Sequence, residues 1–216
     1  MSAEPTAFLY PFIEADERDP TPLVAHLATS ASEKISISRQ LAIHTMTASG
    51  AAIAAAAAGV ADRVAGGGRV FVFGNGGSST DADALTADFA GSVPRVPAIS
   101  LVADQAVLTA LANDVGHDIV FSRQLIALGT AGDVAIGIST SGGSTNVLAA
   151  FAQARKRGML TIATCGYGGG ALAVSADVDH CLVVQSDSVH RIQEVQSVVL
   201  HELADRVRAH LEGVLS

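Results

Sequence analysis

Arg69-Val70-Phe71-Val72-Phe73-Gly74-Asn75-Gly76-Gly77-Ser78-Ser79-Thr80-Asp81 is the stretch whose reading decides the fold. Its apolar run, without polar alternation, suits a strand covered on both faces. The run ends in glycines and hydroxyl-bearing residues that open a helical segment at about 79–90. Four similar short apolar runs follow, at 98–102, 134–138, 160–164 and 181–184. Helix-like segments separate them, at 105–128, 144–157 and, more weakly, 171–176, and Val189 to Leu215 reads as one long closing helix. Upstream, Leu23 through Ala65 is helical in character. Ser49-Gly50 interrupts it weakly, so one broken helix or two would fit, and Gly66-Gly67-Gly68 stops it. Short apolar runs alternating with helices predict an α/β fold, a parallel sheet of five strands with helices on both faces.

Composition narrows the function classes. A chain of 216 residues fits a single domain, here expected over 34–216, preceded by an acidic leader over 1–33 that carries Glu4, Glu14, Asp16 and Glu17. Only 16% of residues are charged and the mean hydropathy is +0.40, which excludes a disordered polyelectrolyte. Aromatics are 4% with no Trp, so the core is built from Ala, Val, Leu and Ile. A formal net charge of -8 with no basic stripe argues against nucleic-acid binding. The leader lacks the basic start and apolar stretch of a signal peptide. The alanine run from Ala51 to Ala58 is bracketed by Gly50, Gly59, Asp62 and Arg63, and reads as a packed soluble helix with no membrane role. Cys165 and Cys181 sit in apolar runs and are expected to be small buried residues in a reducing compartment.

Two loops at strand ends look suited to an anion. Gly74 to Asp81 offers glycines for close backbone approach, free N–H groups at a helix start, and the hydroxyls of Ser78, Ser79 and Thr80. It has neither the Gly-Lys-Ser/Thr ending of a Walker loop nor the glycine spacing of a dinucleotide fingerprint, so no nucleotide cofactor is expected. Ser139-Thr140-Ser141-Gly142-Gly143-Ser144-Thr145-Asn146 again joins a strand to a helix. Each alone could be a capped turn; two at the carboxyl ends of one parallel sheet favour a phosphorylated ligand.

Gly-Asn-Gly-Gly-Ser at 74–78, Asn113-Asp114, Gly-Ile-Ser-Thr-Ser-Gly-Gly-Ser at 137–144 and Arg-Ile-Gln-Glu-Val at 191–195 resemble the phosphoheptose isomerase family of sugar-isomerase (SIS) domains, over about residues 36–212. The resemblance implies a flavodoxin-like, three-layer domain in a cytoplasmic homotetramer. It implies aldose–ketose isomerisation of sedoheptulose 7-phosphate or a related sugar phosphate through an enediol. Phosphate and substrate positions fall on Asn75, Gly76, Gly77, Ser78, Asp114, Ser139, Thr140, Ser141, Ser144 and Gln193, and the family's catalytic, metal-binding histidine falls on His201.

The first helix departs from the pattern. The family's metal-binding His falls on Ala84, its catalytic Glu on Asp88, and the acidic residue before Arg191 on His190. Asp81, Ala84 and Asp88 share one helical face, so Asp88 points where the Glu would, one methylene shorter. Asp88 and His201 are therefore the expected base and acid. Asp88, Gln193 and His201 are what remains of a zinc site, and zinc is expected to bind weakly or not at all unless His190 or Asp83 substitutes. His190 and His201 lie about 16 Å apart along an ideal helix and cannot share a metal on one chain. The altered first helix also leaves open a non-catalytic module that binds a sugar phosphate or a partner protein. Elsewhere, His117 is a possible pocket residue, His180 a turn residue and Arg155-Lys156-Arg157 a solvated helix end. Tyr167 with Gly168-Gly169-Gly170 reads as a mobile connection that could act as a lid.

Overall fold

The computed structural model describes residues 21–213; the acidic start of the leader lies outside them. Helix α1 (Thr21–Ala65) is followed by β1 (Val70–Gly74), α2 (Gly77–Gly91), β2 (Ala98–Ser100), α3 (Gln105–Asp114), α4 (Val120–Leu128), β3 (Val134–Ser139), α5 (Thr145–Lys156), β4 (Leu160–Gly166), β5 (His180–Val184) and α6 (Val189–Leu211). The five strands form one parallel sheet in the order β2-β1-β3-β4-β5. This is the flavodoxin-like winding, and its direction reverses between β1 and β3, where ligands bind in such sheets.

The α/β expectation holds, with local corrections. Ser49-Gly50 does not break α1, which continues through Glu33, and a compact unit runs from Gln40 onward. The segment 105–128 is not one helix. Gly116, at φ 107, turns the chain out of α3 into a 3-10 turn at His117–Ile119 before α4 begins. The helix expected at 171–176 is a single 3-10 turn, Leu172–Val174. The closing helix ends at Leu211, before a glycine turn at Gly213. Arg155 pairs with Asp179, and the Arg157 guanidinium donates to the carbonyls of Gly129 and Ile126, so this helix end is tied down rather than simply solvated. His180 is the first residue of β5.

The strands are buried as the unbroken apolar runs require: β1 and β3 are buried at every position. Phe73 lies 5.3 Å from the Phe121 ring and 5.5 Å from that of Phe151, joining β1 to α4 and α5. Within the unit Gln40–Ser216, α1 adds Thr45, Ile53, Ala56, Ala57, Val60 and Ala61 to the buried set. At the amino ends of the strands, two carboxylates join neighbours. Asp133 accepts the Arg69 N–H at 2.8 Å, the Thr130 N–H at 2.8 Å and the Arg69 guanidinium at 3.0 Å. Asp179 accepts the Thr161 N–H and hydroxyl, both at 3.0 Å, and pairs with Arg155. Burial pushes both carboxyls up, but these donors outweigh it and hold each below its ordinary range.

Candidate active site

The two glycine- and serine-rich loops meet at the β1/β3 switch point. Asn75 at the end of β1 and Asn146 in the first turn of α5 exchange two amide hydrogen bonds, of 2.8 and 2.9 Å. This pair fixes the loops against each other, and the sequence reading missed Asn146 as a site residue. In the second loop, Ser139 is buried and its hydroxyl meets that of Ser144 at 3.0 Å. Ser144 occupies the N-cap position of α5 but makes no side-chain cap bond. A serine that only capped the helix would accept an N–H there; this one turns its hydroxyl to the loop interior. The Ser141 hydroxyl accepts the Gly143 N–H at 3.2 Å, and the Thr140 carbonyl accepts from Gly166 at 2.9 Å.

The first loop differs from expectation in one respect. The Ser79 and Thr80 hydroxyls each donate back to a carbonyl of their own turn, Gly76 and Gly77, at 2.6 Å. They are not free anion donors, and the Ser78 and Ser79 N–H groups are likewise taken, by the Asn75 and Gly76 carbonyls at 3.0 Å, which leaves the N–H groups of Gly76 and Gly77 at this helix start. Gly77 lets the Gln193 side chain approach closely: a Cβ there would lie 2.3 Å from its Nε2 and would push the amide away. Gln193 of α6 thus sits directly against the start of α2. Ser78 is buried. A cavity of about 370 Å³ opens beside this loop, lined among others by Asn75, Gly76, Ser79, Thr109 and His117. His117 is therefore a pocket residue. Asp114 is exposed at the end of α3, where it accepts from the Asn113 amide at 2.8 Å, and it does not line this cavity.

Asp88 and His201 face each other between α2 and α6, with Nε2 of His201 at 3.3 Å from the Asp88 carboxylate. Nδ1 of His201 lies 2.6 Å from the Ser197 carbonyl one turn earlier. A carbonyl only accepts, so Nδ1 carries a proton and donates it. Nε2 is thereby turned to Asp88, and the contact is attractive when a proton lies on one of the two groups. Asp81, on the same face of α2, has its carboxyl pushed up by burial, with the His201 charge acting the other way. Asp81 and Ser197 are further participants that the sequence reading left without a role. The i, i+7 spacing of Asp81 and Asp88 was the available signal for the first; a carbonyl partner leaves no trace in residue type.

The residues do not fit the zinc that the resemblance implies. Zinc sites take three or four ligands from His, Cys and carboxylate. Ala84 offers none, the Gln193 amide is a weak donor, and the Asp83 carboxylate is engaged by the Ser100 hydroxyl at 2.5 Å. Among the described residues no three His, Cys, Asp or Glu side chains group around a common point.

The Gly168-Gly170 segment is no free lid. The Gly166 N–H holds the Thr140 carbonyl, and the Leu172 N–H holds that of Gly142 at 2.9 Å, so the loop after β4 backs the second loop. Tyr167, at φ 51, stands partly exposed at its turn.

Residues 36–166 match the profile of the SIS domain. The chain is 44% identical over 149 residues to a phosphoheptose isomerase of Sulfurimonas denitrificans, covering 67% of this chain and 75% of that protein. Its fold is similar to the solved structure of a phosphoheptose isomerase from Francisella tularensis, with a TM-score of 0.78, 35% identity and coverage of 83% of this chain and 97% of that one. A phosphoheptose isomerase from Neisseria gonorrhoeae superposes with a TM-score of 0.75 at 35% identity, covering 86% and 98%.

Proposed function

We propose a mechanism from the premise that this chain belongs to the phosphoheptose isomerase family of SIS-domain proteins. It is a sugar-phosphate isomerase of the aldose–ketose type, and its substrate class is a phosphorylated heptose such as sedoheptulose 7-phosphate. The observation that carries the mechanism is the Asp88–His201 contact between α2 and α6, the two helices that also meet where Gln193 approaches Gly77 at the first loop.

The phosphate is held by the second loop, Ser139 to Ser144, and by the helix-start N–H groups of α2 and α5. Binding energy gathered there, remote from the reacting carbons, positions the sugar for chemistry. Asp88 takes the proton from the carbon next to the carbonyl. His201, protonated on Nε2, gives a proton to the carbonyl oxygen, and the two transfers form the enediol. Return of a proton to the neighbouring carbon, with loss of one from the other hydroxyl, completes the exchange of aldose and ketose. Gln193, against Gly77, is placed to orient the sugar between the loop and the pair. No step requires a metal. Assembly into a homotetramer in the cytoplasm is part of this proposal; its support is the family resemblance and the exposed apolar residues of α1, among them Leu27, Ile35 and Ile37.

Incubation with sedoheptulose 7-phosphate, followed by NMR, tests the reading. The expected outcome is turnover without added zinc. Asp88→Asn and His201→Ala should each lower it at least ~100-fold, the usual scale for losing a general base or acid. Unchanged turnover in Asp88→Asn would remove the base assignment.

A further inference from the structure

A second pair of reactive side chains lies away from Asp88 and His201. Cys165, next to last in β4, and Cys181, second in β5, face each other with their sulfurs 3.6 Å apart. Both are free thiols; Cys165 is buried and Cys181 only partly so. The expectation of two buried cysteines therefore holds for Cys165 and only in part for Cys181. It lines an open recess of about 320 Å³ together with His44, Thr45, Ala48 and Val183. The buried Thr45 hydroxyl in this recess makes no hydrogen bond among the described residues.

The two thiols are unequal. The hydrogen bond from Cys165 favours the thiolate of Cys181 and lowers its pKa, while the same contact, with burial, pushes the Cys165 thiol up. The accessible sulfur is the nucleophile and the buried one is in place to resolve a mixed disulfide.

Cys165 is also joined to the phosphate cradle. In the β3–β4 ladder it lies opposite Ser139, and the next residue, Gly166, holds the Thr140 carbonyl. The loop that follows leaves no slack: a Cβ on Gly142 would come within 2.0 Å of the Gly169 carbonyl oxygen. Across the β4–β5 ladder the cysteines are diagonal rather than opposite, since Cys165 pairs with Val183 and Ala163 with Cys181. A disulfide needs its sulfurs about 2.0 Å apart, so closure draws them together by roughly 1.5 Å at the end of β4.

We propose that Cys165 and Cys181 form a thiol–disulfide exchange site that takes a small disulfide of the glutathione class, and that its closure loosens the Ser139–Ser144 cradle. The Cys181 thiolate attacks one sulfur of the small disulfide and expels the other half as a thiolate. Cys165 then gives its proton to the thiolate already expelled, and its sulfur attacks Sγ of Cys181, expelling the second half as a thiolate that takes a proton from water. The protein dithiol is oxidised to a disulfide and the small disulfide is reduced to two thiols. The coupling rests on the phosphate reading of the cradle; the exchange chemistry does not.

The test titrates the reduced, full-length protein with glutathione disulfide. Free thiols are counted in denaturant, intact mass and linked peptides are read by mass spectrometry, and binding of inorganic phosphate is measured by calorimetry before and after. Expected are loss of both thiols without a retained adduct, a peptide joining Cys165 to Cys181, and phosphate binding weakened roughly tenfold, the equivalent of one lost hydrogen bond to a charged group. Dithiothreitol should restore both. Cys165→Ala should stop at a glutathione adduct on Cys181, and Cys181→Ser should take none. Thiols that stay free, or an adduct that persists in the wild type, would overturn the exchange site. A cross-link that leaves phosphate affinity unchanged would overturn the coupling. Reduced protein without affinity for phosphate would overturn the cradle and the coupling together, while the thiol count would still decide the exchange site.

Discussion

At the scale of single residues, the proposed chemistry rests on Asp88 and His201, and the poor fit to zinc on Ala84. Their positions on helical faces are legible in the sequence, because spacing along a helix sets which side chains meet a neighbouring helix. What the sequence does not carry is the orientation of His201, since that depends on the Ser197 carbonyl, a group every residue possesses. The same limit hid Asn146, whose role exists only through Asn75, a residue 71 positions earlier in the chain. Ala84 offers no ligand and Asp88 a shorter one, so the poor fit to zinc traces to two side chains on one face of α2. The double variant Ala84→His with Asp88→Glu should therefore gain zinc. With Gln193 and His201 it rebuilds a four-donor set, which is the count zinc favours. Metal analysis after gel filtration should find about one zinc per chain in the double variant and far less in the wild type. Equal zinc in both would show that the wild-type donors suffice after all.

At the scale of elements, β1, β3 and β4 were legible because burial on both faces leaves no alternation to misread, and the edge strands β2 and β5, only partly buried, still coincide with apolar runs. The break between α3 and α4 was not, because Gly116 reads as a tolerated helix glycine until its positive φ is seen. The amino ends of the strands carry a device of their own. Asp133 and Asp179, each one residue ahead of a strand, accept the N–H of a residue at the start of the adjacent strand. The Asp133 side chain is 2% exposed against 28% for Asp179. Asp133→Asn should cost on the order of 3 kcal/mol, since it unpairs buried donors, and Asp179→Asn roughly 1 kcal/mol. Both carboxyls are held below the ordinary value of 3.8 in the fold. A depressed folded pKa contributes stability that is complete above the unfolded value and lost as pH falls through the folded one. Urea titrations at neutral pH should therefore separate Asp133→Asn clearly from the wild type, and the gap should shrink below about pH 4. A gap that stays constant at every pH down to acid unfolding would mean that packing, not the carboxylate charge, sets the cost.

At the scale of the whole molecule, the open matter is what covers α1. An 18-residue window of this helix has a mean hydropathy of 1.4, enough in length and apolarity to cross a membrane. Two observations argue against that use. Ile53, Ala56, Ala57 and Val60 of the same helix are fully buried in the unit Gln40–Ser216, so this part of it is a core helix. Its hydropathy also rests on alanines, which contribute little to membrane insertion. The exposed apolar residues Val24, Leu27, Ile35 and Ile37 need another account. Sequence alone could not supply one, because an apolar helical stripe has the same period whatever covers it. The proposed assembly, contact with further copies of the chain, supplies one. On that account the wild type should elute as a multimer by light scattering, without detergent. Leu27→Glu combined with Ile35→Glu should shift it to smaller species while circular dichroism keeps its helix content, because a charge at each position has to be desolvated in any apolar interface. A wild type that is monomeric at micromolar concentration would remove the assembly, and one that stays in solution only with detergent would return the membrane reading of α1.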